Sequence, residues 1–225
     1  MKPKIALFGD SIFDNQPYVY DGESVIDYLK AVLDDTAAAE LHAVDGSVTE
    51  QVIEQLKKAP SYISHIFISS GGNDGLAANT LLGGIVPLDT AKKQSKLLKN
   101  LSNVKNSFEV LALIQQEFRV VYRKMLTQAM KANVPVTVCT IYDKNPTMQS
   151  WQHGALSVFN DVITYEAVKF GASIIDLRAV CEEKDDYSDI SPIEPSGQGA
   201  AKIAAVIKRV FVEHQGTEGY SRIYS

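Results

Sequence analysis

Three short apolar runs, each ending in a glycine-bearing polar loop that a helical period or an insertion follows, leave this chain few folds to adopt. Ile5 to Phe8 stops at Gly9 and is followed at once by Asp10 and Ser11. Leu41 to Val44 reads as a second strand that ends in Asp45-Gly46-Ser47. His65 to Ser70 reads as a third and runs into Gly71-Gly72-Asn73-Asp74-Gly75. Between these runs, Val25, Ile26, Leu29, Val32 and Leu33 recur on one helical face, as do Val52, Ile53 and Leu56. Strands without polar alternation, separated by amphipathic helices, predict a parallel sheet covered on both faces. In such open sheets ligands gather outside the carboxyl ends of the strands, where all three polar loops would lie.

The rhythm continues after an interruption. Residues 75 to 106 carry Leu81-Leu-Gly-Gly-Ile-Val-Pro-Leu88 and a Lys/Asn/Ser-rich run, and are expected to form an insertion or lid outside the sheet. A long amphipathic helix over 108–132, a fourth strand over 134–141, a helix over 155–170 and a fifth strand over 173–177 follow. An acidic loop then leads to Pro195-Ser196, which opens a last helix bearing Ile203, Ile207, Val210 and Phe211 on one face. The tail from Gly216 reads as frayed surface. The expectation is one domain over 1–225: an α/β, three-layer α/β/α sandwich on a five-stranded parallel sheet.

Composition excludes several classes of function. A net charge of −5 lacks the basic surface that nucleic acid demands. No apolar run reaches the roughly 18 residues of a membrane span, and the amino terminus lacks the pattern of a secretory signal. Two distant cysteines, Cys139 and Cys181, are too few for a disulfide framework or a metal cluster, so a cytoplasmic location is expected.

The three loops offer what acyl transfer requires. Ser11 supplies a hydroxyl nucleophile, Gly46 an unshielded backbone N–H, and Asn73 an amide donor. Donors aimed at a developing oxyanion are often the largest single catalytic contribution. In order and spacing, Phe-Gly-Asp-Ser11, Asp-Gly46-Ser-Val-Thr and Gly-Gly-Asn73-Asp together resemble the SGNH (GDSL-like) hydrolase family. The resemblance implies a flavodoxin-like sandwich and hydrolysis of ester or acyl bonds. It also implies a serine nucleophile whose oxyanion hole is formed by its own N–H, the Gly46 N–H and the Asn73 side chain. No metal or organic cofactor is implied.

The family's fourth motif, Asp-x-x-His-Pro before the last helix, reads here Ser191-Pro-Ile-Glu194-Pro. Glu194 stands at the histidine position and Ser191 at the aspartate position, with Asp186 and Asp189 upstream but off that spacing. A carboxylate with an ordinary pKa near 4.3 is a weak base toward a hydroxyl, but burial raises it toward the useful range. Two readings of Glu194 stay open: general base for Ser11, or a residue that caps the following helix. His153, after the fourth strand, is the other candidate base, while His42, His65 and His214 read as structural or solvated. The sequence thus points to a serine hydrolase acting on a small ester or acyl (acetyl) substrate. A catalytically degenerate binding module is the alternative, and oligomeric state is left open.

Overall fold

In a computed structural model, residues 2–82, 107–213 and 221–225 are described. Their strands are β1 (Lys4–Gly9), β2 (Ala38–Leu41), β3 (His65–Ser69), β4 (Val136–Cys139), β5 (Ser173–Ile175) and β6 (Ile223–Tyr224). Their helices are α1 (Val25–Leu33), α2 (Thr49–Lys57), α3 (Gly72–Leu82), α4 (Ser107–Ala129), α5 (Ser150–Phe170), α6 (Leu177–Val180) and α7 (Gly197–Glu213). The strands form one parallel sheet in the order β2-β1-β3-β4-β5-β6.

Alternation along β1 creates the layers. Ile5 and Leu7 enter a core with α1 and α7, through Val25, Leu29, Ile203 and Ile207. Ala6 and Phe8 enter a second core with α2, α4 and α5, through Val52, Tyr122, Met125 and Ile163. Both faces of the sheet are therefore dry, which is why its central strands read as unbroken apolar runs. Ser24 caps α1, its hydroxyl accepting from the Asp27 N–H.

Two expectations need correction. The sheet has six strands among the described residues, not five. The sixth lies in the tail that reads as frayed, where Ile174 N–H donates to Arg222 O and Asp176 N–H to Tyr224 O, both at 2.7 Å. Tyr224 is buried and its ring meets the Arg209 guanidinium, so a two-residue strand too short to show periodicity is held by edge pairing and one aromatic anchor. The second strand also lies earlier than read, over Ala38–Leu41, because edge pairing with Lys4–Leu7 selects Ala-Ala-Glu-Leu despite its poor strand propensity. Of the expected insertion, residues 75–82 belong to α3, and residues 83–106 lie outside the described residues, as does His214.

Candidate active site

The order of the sheet reverses direction between β1 and β3: the chain runs from β1 outward to β2, then returns to β3 on the other side. The loops leaving this switch point diverge and open a crevice. Gly9 makes their close approach possible. It sits at φ +134°, and a Cβ there would lie 1.9 Å from the Ser69 carbonyl oxygen, so no other residue fits. Gln55 of α2 fastens the same point, accepting from Gly9 N–H at 2.8 Å and donating to Gly9 O at 2.9 Å and to Ser47 Oγ at 3.1 Å. The end of β1 and the β2–α2 loop are thereby locked together.

Ser11 follows β1 in a turn closed by the Phe13 and Asp14 N–H groups on Asp10 O. Its hydroxyl donates to Glu194 Oε1 at 3.0 Å, across 183 residues of sequence. Both side chains are buried, Ser11 at 6% and Glu194 at 5% exposure, yet both line one cavity of about 170 Å³. Burial pushes the Glu194 carboxyl up to about 8, the charges of Asp10 and Asp45 adding to the rise and the Ser11 hydroxyl opposing it. Its second oxygen, Oε2, is buried with no hydrogen-bond partner among the described residues.

Glu194 does not cap α7. Ser196 does, its hydroxyl accepting from Gly199 N–H and its carbonyl from Ala200 N–H. The Glu194 loop is held through its backbone instead. Tyr142 Oη donates to Ile193 O at 2.7 Å, Ser188 N–H to Glu194 O at 2.9 Å, and Glu194 N–H to Ser191 O at 2.9 Å. Asn15 donates to Pro195 O at 3.2 Å while accepting from Val25 N–H at 2.9 Å. The carboxylate thus reaches Ser11 from a loop clasped on both sides.

Asn73, in the first turn of α3, lines the same cavity and donates from Nδ2 to Ser47 O at 3.0 Å. That bond ties the amide to the loop carrying Gly46, which is exposed with φ +75°. The next residue, Asp74, accepts from both the N–H and the hydroxyl of Thr49, whose hydroxyl also meets Ser70 Oγ at 2.8 Å. The starts of α2 and α3 are joined there. Asp10 is a second buried carboxyl in the cavity wall, accepting from Ser69 Oγ at 2.9 Å and Ile12 N–H at 3.2 Å. Burial pushes it up to about 7.

Ser11, Asn73 and Glu194 therefore meet at one cavity, with Gly46 in the adjoining loop. His153 is not part of this cluster: it is exposed on α5 and absent from the cavity wall. His42 lies against the Phe8 ring and Glu40, and His65 is buried against Phe211. Asp186 is engaged by Lys202 and Gln198. Asp10, Gln55, Asn15 and Tyr142 escaped the sequence reading. Only Asp10 carried a signal, as the acid beside Ser11, whereas the others act on partners far away in the chain. No group of three His, Cys, Asp or Glu side chains suited to a metal occurs among the described residues.

No protein-family model matches this chain, and no curated protein matches its sequence. Its fold nevertheless recurs among solved structures. It is similar to a lipase from a goat rumen metagenome at 17% identity, with a TM-score of 0.64, covering 97% of this chain and 100% of that one. An acetyl xylan esterase from Geobacillus stearothermophilus is similar at 14% identity, TM-score 0.63, covering 96% and 95%. A member of the lipolytic G-D-S-L family from Veillonella parvula is similar at 15% identity, TM-score 0.59, covering 93% and 98%. At these identities the likeness establishes a shared architecture: a parallel α/β sheet sandwiched by helices, as found in G-D-S-L esterases and lipases.

Proposed function

We propose that this chain is a serine hydrolase of the SGNH type, cleaving ester or acyl bonds of a small substrate with Ser11 as nucleophile and Glu194 as general base. The observation that carries this reading is the buried hydrogen bond from Ser11 Oγ to Glu194 Oε1. An ionised Glu194 accepts the hydroxyl proton as Oγ bonds to the substrate carbonyl carbon, and the carbonyl π pair moves onto oxygen. The resulting oxyanion is met by the N–H groups of Ser11 and Gly46 and by the Asn73 amide. Collapse expels the alcohol, which leaves with the proton returned by Glu194. Water then enters, gives a proton to Glu194 and attacks the acyl-serine, and the proton goes back to Ser11 as the acid leaves. No step calls on a cofactor.

The elevated pKa of Glu194 supports the role, because a base near the working pH combines availability with driving force. It also favours the alternative at neutral pH, where a mostly protonated Glu194 makes the cavity a binding site rather than a catalyst. The reading is tested by quenching the protein during turnover of a 4-nitrophenyl ester and weighing it. An acyl adduct on Ser11, absent from Ser11→Ala, is the expected result. No adduct and equal turnover by the two proteins would overturn it.

A further inference from the structure

The cavity beside Ser11 has a wall whose chemistry the hydrolytic reading leaves unexplained. Away from the reacting groups it is lined by Leu76 and Ala78 of α3, Ile141 and Met148 of the segment after β4, and Leu156 and Phe159 of α5. The neutral side chains of Asn145, Thr147 and Gln152 also reach it; the N–H and hydroxyl of Thr147 are given to Asn145 Oδ1, and Gln152 Oε1 accepts from Gln149 N–H. No lysine, arginine or histidine lines it among the described residues, and Asp10 and Glu194 are its ionisable carboxyls. An anionic tail would find no counter-ion there and would lose its hydration against aliphatic and aromatic surface.

The floor is set by α3 crossing α5. At Gly75 a Cβ would stand 3.9 Å from the Phe159 ring, ordinary contact, so the absence of a side chain there widens the space above the ring. An apolar protein cavity of about 150 Å³ takes a six-carbon guest. At about 170 Å³, counted together with the space beside Ser11, Asn73 and Glu194, this one is of the same size, larger than an acetyl group fills.

Resting on Ser11 as the nucleophile, we infer that the acyl half of the substrate is a neutral hydrocarbon chain of about six carbons lying against Phe159 and Leu156. Acetyl groups underfill the cavity, and acyl groups with a terminal carboxylate are refused. Each methylene withdrawn from water favours binding about fourfold. Preference should therefore climb along the chain until the cavity is full, then level off.

The test compares 4-nitrophenyl acetate, hexanoate and monoanionic adipate, the last matching hexanoate in length but ending in a carboxylate. Wild type should show kcat/KM for hexanoate at least about tenfold above both others. Leu156→Trp, at a half-buried position on the cavity wall, should lower the hexanoate-to-acetate ratio of kcat/KM by about tenfold. Gly75→Leu, where an added Cβ meets only the Phe159 ring at ordinary contact distance, should lower the same ratio and guards against a folding defect in the first variant. Acetate or adipate turned over as well as hexanoate would overturn the inference and leave the hydrolytic reading standing. Turnover of all three esters no better than by Ser11→Ala would overturn that reading itself, and this inference with it.

Discussion

Asn73 is the residue whose chemistry is most separable from its structural duties. Its amide has two hydrogens, and one is given to Ser47 O. On the proposed mechanism the other would be given to an oxyanion beside Ser11. Asn73→Ala should lower kcat by about 10²–10³ on an activated ester while KM moves little, since the donor acts only once charge develops. Asn73→Asp keeps the shape but replaces a donor with a charge and should be at least as damaging. Unchanged kcat in Asn73→Ala would confine the side chain to latching the Gly46 loop. Asn73 was readable from sequence because its setting is local: two glycines and the end of an apolar run lie directly before it.

At the level of elements, the proposed mechanism asks the loop between Ser188 and Ser196 to do by its backbone what a side chain would do in the motif this chain resembles. There an aspartate would orient the base, whereas here Ser191 stands in its place and the backbone of residues 193–195 is gripped by Tyr142, Ser188 and Asn15. Tyr142 is buried, and its ring meets Tyr187 edge-on at 4.9 Å. Tyr142→Phe keeps that packing and leaves the Ile193 carbonyl without its donor, at a cost of about 1 kcal/mol or more. If the clasp positions Glu194, kcat should fall about tenfold with KM unchanged, and the alkaline midpoint of the rate should shift. A variant that is merely less stable, with kcat and midpoint intact, would make Tyr142 a packing residue only. Neither Tyr142 nor Asn15 stood out in the sequence, because a tyrosine after a strand and an asparagine in a polar loop have no periodic signature. Their partners lie 51 and 180 residues away.

For the whole molecule, the site is a stability cost written into an otherwise consistent fold. Glu194 sits at about 8 when folded, far above an unfolded glutamate, so the folded state holds a proton that the unfolded state has released over the interval between. Glu194's own contribution to stability falls as pH rises from about 4.5 to about 8 and is level above that. Glu194→Gln should accordingly be more stable than wild type at pH 9 by a few kcal/mol, with the gap vanishing near pH 4, as denaturant titrations would read. A gap independent of pH would mean that Glu194 is not buried as a neutral acid. The fold itself was largely open to sequence reading. Doubly buried strands such as β1 and β3 announce themselves as apolar runs, and the glycines at their ends mark the edge where the site forms. What stayed hidden were elements decided by neighbours rather than by their own residues, β2 with its helix-forming Ala-Ala-Glu-Leu and β6 with two residues.

The central claim is that a carboxylate takes the general base's part for Ser11, and the pH dependence of kcat for an activated ester tests it most directly. Wild-type activity should rise with pH as Glu194 ionises, with a midpoint near 8, well above that of a free glutamate. Glu194→Gln keeps the side chain's shape, removes the base, and should lose both the rise and at least about a hundredfold in rate. Equal rates and equal profiles for the two proteins would contradict the account.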